Sequence, residues 1–158
     1  MNKQQSLVAF ILIIIFGGIL VLNRGATVPT DKIKSEDTGD IKEGITYDNA
    51  TSDLIQVELP FPGAVTGKSF SVIGKARGNW FFEATFPITV LDKDGKVLVQ
   101  TYASAEGEWM TTDFVSFRGE VNAPIDYIGP ATLILHKSNA SDMRELDASI
   151  SFPINIEY

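Results

Sequence analysis

The chain predicts an all-β fold in which about seven strands form two antiparallel sheets packed face to face, preceded by one membrane-spanning helix. Three observations carry this. Apolar residues fall at every second position through most of the stretch 53–158, Gly, Pro and Asp residues punctuate those runs, and one long apolar run, Leu7 to Leu22, stands apart near the start. The most informative stretch begins at Trp80. Its even positions, Trp80, Phe82, Ala84, Phe86, Ile88 and Val90, are all apolar, and its odd positions include Glu83, Thr85 and Thr89, the period of a strand with one wet face. It leads into Asp92-Lys93-Asp94-Gly95, where an Asp-Gly pair suits the positive φ angles of a tight hairpin.

Before the strands, residues 1–6 are short and polar and read as a cytoplasmic N-terminus. Leu7 to Leu22 follows as sixteen residues without a charge, thirteen of them Leu, Ile, Val or Phe. At the bilayer centre these favour insertion by roughly 4 to 8 kcal/mol. As a helix the run reaches about 24 Å, so Ser6 and Asn23 must sit at the interfaces of a hydrocarbon core about 30 Å thick. The rival reading is a signal peptide, but for cleavage after Ala26, the nearest small residue, Arg24 stands where a small side chain is wanted. Residues 7–22 therefore read as an uncleaved anchor. Lys3 and the amino terminus before it weakly favour the rest of the chain lying outside. No cysteine follows the run, which excludes a lipid-modified cysteine anchor. Residues 23–52 are mostly polar, carry six acids and four bases without a sustained period, and read as a flexible tether spanning about 30 Å.

From Asp53 onward strand follows strand. Ile55, Val57 and Leu59 alternate until Pro60-Phe61-Pro62-Gly63, and Phe70, Val72, Gly74 and Ala76 form the next run. After the hairpin come Lys96 to Ala103, Phe114 to Val121 and Ala131 to His136. The last run places Leu146, Ala148, Ile150, Phe152, Ile154, Ile156 and Tyr158 on one face. One antiparallel sheet cannot bury so many apolar faces, so two sheets must close over a shared core. The size and strand count are those of an immunoglobulin-like sandwich. Pro87 and Pro153 fall on outward positions, which requires a bulge or an unpaired edge at each.

At 158 residues the chain has room for one ordinary domain plus appendages. Its net charge of −7 argues against nucleic acid or an anionic lipid surface as partner. With no cysteine there is no disulfide, thiolate metal site or cysteine nucleophile.

The inventory for catalysis is thin. His136 is the only histidine and falls on the outward register of its strand, where a solvated side chain is the simpler reading than a general base. No serine sits in a nucleophile elbow. Asp92, Asp94 and Gly95 resemble the start of a calcium loop, but residue 103 is Ala where the twelfth-position Glu is needed, so the hairpin reading stands and no metal is expected. Asn49-Ala50-Thr51 and Asn139-Ala140-Ser141 match the glycosylation pattern. Trp80, Phe81 and Trp109 have two readings. Aromatics in a sandwich are usually core, and the register of Trp80 agrees. Phe81 lies out of register beside it, and if that pair is wet the three form a contact surface for a protein or sugar partner.

Ile55-Gln56-Val57-Glu58-Leu59-Pro60 with Pro62-Gly63, Val72-Ile73-Gly74-Lys75-Ala76, and Asn79-Trp80-Phe81-Phe82-Glu83 leading to Val90-Leu91-Asp92-Lys93-Asp94-Gly95-Lys96 carry a family likeness. Trp109 with Phe114, Val115 and Phe117, and the closing Ile150-Ser151-Phe152-Pro153-Ile154, fit the same pattern. Together, over 53–158, they resemble the immunoglobulin-like domain of bacterial spore germination proteins, the second of the Gmad-type domains. The resemblance implies an extracytoplasmic β-sandwich that binds or scaffolds rather than catalyses, and it carries no binding residues onto this sequence. The expected function is a membrane-anchored extracytoplasmic module contacting a protein or cell-envelope component, with no catalytic residue, cofactor or metal. A glycan-binding module using the exposed aromatics is the alternative, and a hydrolase using His136 with Ser or Asp the remote one.

Overall fold

Alternation becomes strand where successive apolar positions can face one interior. In the computed structural model, which describes residues 44–158, the strands are β1 (Thr46–Asp48), β2 (Ile55–Leu59), β3 (Val65–Thr66), β4 (Ser69–Arg77), β5 (Thr85–Asp92), β6 (Val97–Ala105), β7 (Phe114–Asn122), β8 (Gly129–His136) and β9 (Ser149–Ile156). The anchor expected at 7–22, the N-terminus 1–6 and most of the expected tether lie outside the described residues. Among the described residues no helix is long and apolar enough to cross a membrane.

Hydrogen bonds join the strands in the order β1-β9-β8-β5-β6-β7-β4-β2, with β3 added to β9. The two expected sheets are thus one immunoglobulin-like sheet curled over its own core as a sandwich. The corner lies in β6, which pairs with β5 along its length and then, at Ala103–Ala105, also with β7. Small residues permit the bend: Ala103 faces Gly119, and a Cβ on Gly119 would stand 2.6 Å from Ile88 Cδ1. All pairings are antiparallel except that of β3 with β9.

The two halves meet through aromatic rings. Phe86 of β5 touches Phe117 of β7 edge-on, with ring centroids 4.9 Å apart and planes at 80°. Around this pair Ile88, Val90, Leu133, Leu135 and Ile150 are buried from one half and Ile55, Val72 and Val121 from the other.

The tolerance of Pro87 and Pro153 follows from backbone direction. Asn155 N–H donates to Ala64 C=O across the outer edge of β9. By alternation the missing donor of Pro153 faces that edge too, in the gap between β1, which pairs with 149–151, and β3, which pairs with 155–156. Its carbonyl accepts from Gly63 N–H at 2.7 Å. On β5, Ala84 C=O accepts from Ala105 N–H towards β6, so Pro87 faces β8, whose ladder with β5 begins only at Ile88. Neither proline removes a ladder bond.

Three expectations fail. Residues 46–48 fall in the stretch read as tether, yet they pair with β9. Three residues carrying the single apolar Tyr47 are too short to show a period, and the strand exists because β9 offers an open edge. The alternation from Trp80 to Val90 is not one strand. A 3₁₀ turn over Gly78–Trp80 is followed by a tight turn in which Phe82 and Thr85 exchange two backbone hydrogen bonds of 3.0 Å, and Glu83 and Ala84 take φ of 50° and 62°. Phe82, expected inside, is 48% exposed. At the other terminus Leu146 sits in a 3₁₀ turn, Arg144–Leu146, and both it and Tyr158 are exposed. The Asp-Gly hairpin forms, but with three loop residues: only Gly95 has positive φ, and Asp92 Oδ1 accepts from the backbone N–H of Asp94 and of Lys96, each at 2.8 Å.

The outer faces of the two halves differ in charge. On β9 the outward residues are Ser149, Ser151, Pro153 and Asn155, and on β8 Pro130, Thr132, Ile134 and His136. On β5 they are Thr85, Pro87, Thr89 and Leu91, and on β6 Gln100, Tyr102 and Ser104. On β4 and β7 the outward set includes Lys75, Arg77, Arg118 and Glu120.

Because Phe86 lies between the halves with no exposed surface, Phe86→Ala is expected to cost about 3 to 5 kcal/mol. An unchanged denaturant midpoint would remove it from the core.

Candidate functional site

Four loops meet at the end of the sandwich where β4, β6 and β8 finish: 49–54, 78–84, 106–113 and 137–148. Gly78 sets the approach between two of them, since any Cβ there would collide with the carbonyls of Trp109 and Thr111. The close packing turns the chain inward at Trp80. Its ring is fully buried, 6.5 Å from Phe86 and perpendicular to it. Phe81 is 4% exposed, 5.3 Å from the same ring. These two expected contact residues are therefore core, a consequence of the 3₁₀ turn driving consecutive side chains to one side. Trp109 packs against the core only in part. A stacking platform built on Trp80 and Phe81 is not available. Of the aromatics on these loops Phe82 is the exposed one, and Met110, within loop 106–113, is 74% exposed. Phe82 was missed because its even number matches the core register of β5, and only the turn at 83–84 separates them.

Between these loops lies a cleft of about 150 Å³ lined by Leu54, Trp80 and Leu146 together with Asn49, Asn79, Lys137, Glu145 and Asp147. It is smaller than a pocket for a drug-sized molecule and fits a side chain or a short polar group. Its wall is held by a hydrogen-bond network. Asn49 Nδ2 donates to Asp147 C=O at 3.1 Å, and Asn139 Nδ2 donates to Asp147 Oδ1 and to Met143 C=O, each at 2.8 Å. Asn139 Oδ1 in turn accepts from Ser141 Oγ at 2.7 Å. Both sequon asparagines thus have structural employment that a glycan would disturb. Trp80 also carries an indole N–H that is buried without an acceptor, a state that costs about 1 to 3 kcal/mol.

His136 stands at the mouth of β8, half-buried, its Nε2 3.2 Å from Thr89 Oγ1. Burial disfavours the charged imidazole and holds its pKa below the ordinary value, while the Asp147 carboxylate pulls it weakly back up. Among the described residues no three His, Asp or Glu side chains gather as a metal site.

Left-handed non-glycine backbone gathers at the same end. The described non-glycine residues with positive φ are Asn49, Glu83, Ala84 and Asp142, all on these loops. Asn and Asp tolerate that region, whereas Glu83 and Ala84 do so at about 1 to 2 kcal/mol each. Replacing Glu83-Ala84 by Asn-Gly, the pair such turns prefer, is expected to raise stability by about 1 kcal/mol in a denaturant titration. A loss of stability would show that the Glu83 side chain holds the turn.

Comparison with known proteins supplies the lineage. No curated protein and no solved structure matches the chain. The family model for the immunoglobulin-like domain of bacterial spore germination matches residues 54–144, from the start of β2 through β8 and into the last loop of the cleft. The match covers more than half of the chain, which belongs to the family of immunoglobulin-like domains of bacterial spore germination.

Proposed function

We propose that the chain is a membrane-anchored, extracytoplasmic binding or scaffolding module that holds a protein or a cell-envelope component at its loop end and performs no catalysis. The observation that carries this reading is the gathering of left-handed backbone at that end, tolerated at Asn49 and Asp142 and strained at Glu83 and Ala84. Such strain persists where surrounding structure over-determines it, and it clusters where a surface is shaped for a ligand. The exposed side chains of Phe82 and Met110 and the cleft beside Trp80 supply apolar area to the same end. A partner bringing a small apolar group fits that combination.

The non-catalytic part of the reading rests on His136, whose imidazole faces the hydroxyl of Thr89, a buried residue of the sheet face rather than of the cleft. The apolar run 7–22 is the proposed anchor, and residues 23–43 the proposed spacer between bilayer and sandwich.

The test uses the full-length protein in neutral detergent and a solubilised cell-envelope extract. Phe82→Asp with Met110→Asp is expected to weaken capture of the bound component by at least about 10-fold. Ile125→Asp, an exposed site at the opposite end, is expected to leave it unchanged. Equal capture by all three proteins would overturn the assignment to the loop end, and turnover of a substrate abolished by His136→Ala would overturn the non-catalytic reading.

A further inference from the structure

The outer face of β9, β8, β5 and β6 carries no Asp, Glu, Lys or Arg at any outward position, in a chain of which 21% is charged. A wet sheet face is ordinarily where a protein spends its charges, and the outer face of β4 and β7 does so with Lys75, Arg77, Arg118 and Glu120. The uncharged face is also close-packed. Thr89, although outward, is only 9% exposed, and Ile134 beside it is half-buried. Charge returns only at the borders: Asp48 on β1 at one side, and at the other the groove of about 440 Å³ where Tyr102 adjoins Glu106, Arg118 and Glu120. A neutral centre inside a charged rim, with a large amphipathic tyrosine 63% exposed at its margin, is the anatomy of a protein interface.

We propose that this face docks a second copy of the same chain about a twofold axis. Charge selects the occupant. Two copies of net charge −7 repel one another, so self-contact favours a face that contributes nothing to the repulsion, whereas a cationic partner or an anionic bilayer gains nothing there. Area permits it. Four strands about 4.8 Å apart and seven residues long at about 3.4 Å each present roughly 450 Å². Two such faces with their side-chain relief remove on the order of 1,000 Å² from water, the lower end of specific interfaces, so the dimer is reversible rather than permanent. A twofold axis also lets one patch serve both partners. This surface is separate from the loop end, and either assignment can fail without the other.

Sedimentation equilibrium of the full chain in density-matched neutral detergent tests it. The wild type is expected to show a concentration-dependent dimer. Tyr102→Glu and Ser151→Glu, each placing like charges across the axis, are expected to raise the dissociation constant at least about 10-fold. Ser116→Glu, outward on β7, is expected to leave it unchanged. Since the chain has no cysteine, a spin label on Gln100→Cys reads the same contact independently of the charge variants. Dipolar coupling between labels supports the dimer. A monomer at all concentrations, a dimer indifferent to both β6 and β9 charges, or a label shielded only in phosphatidylcholine vesicles would each overturn it, the last by giving the face to a bilayer.

Discussion

The contact on which this sandwich depends is the edge-to-face pair of Phe86 and Phe117. A single sheet in which each strand is bonded to the next has no intrinsic reason to close. Twist and the small-residue corner at Ala103 and Gly119 permit a curl, but something must make the curled state lower in free energy. Phe86 supplies it by filling the centre of the fold from β5 while touching Phe117 of the other half, and Trp80 and Phe81 extend the same cluster to the loop end. The rings therefore connect closure of the sheet to the placement of the loops. Trp80 is both the end of the core and a wall of the cleft, so the proposed binding end is built directly on the core.

Most of the architecture was legible because a period of two is a physical demand of a half-buried strand. Ile55 and Val57, Phe86 to Val90, Leu133 and Leu135, and Ile150 to Ile156 all point where alternation places them. Alternation fails where a turn of even length preserves the count. Phe82 shares the parity of Phe86, but Glu83 and Ala84 reverse the chain between them, and nothing in the residue types announces a positive φ at Glu or Ala. β1 was illegible for a different reason: its pairing is a property of β9, a hundred residues away, rather than of Thr46, Tyr47 and Asp48 themselves. Of the expected contact residues, Trp80 and Phe81 proved interior, since periodicity does not reveal a 3₁₀ turn that sends neighbouring side chains the same way. The cleft was not legible at all. Its walls come from Asn49, Asn79 and Asp147, residues brought together only by the sheet order, and its network uses asparagines that the sequence offers as sequons.

The strained loop end and the uncharged sheet face suggest a division of labour on one small scaffold. Strain at Glu83 and Ala84 is a local cost that the aromatic cluster can carry, because the flanking Phe81 and Phe86 are held by burial. The sheet face involves no strain. Its outward Pro, Ser and Thr residues keep it neutral, and Pro87 and Pro153 occupy places where a missing N–H breaks no pairing. With the proposed tether, loop-end partner and self-contact together, two such ends would be held in parallel, which raises effective concentration without new contacts.

The central claim is that the two halves are held by ring contact and not only by the area each side chain buries. A double-mutant cycle of Phe86→Leu and Phe117→Leu, read by equilibrium unfolding, isolates that contact. The account predicts a coupling energy of about 0.5 to 1.5 kcal/mol, the range of aromatic pairs beyond their burial. Strict additivity of the two substitutions would contradict it.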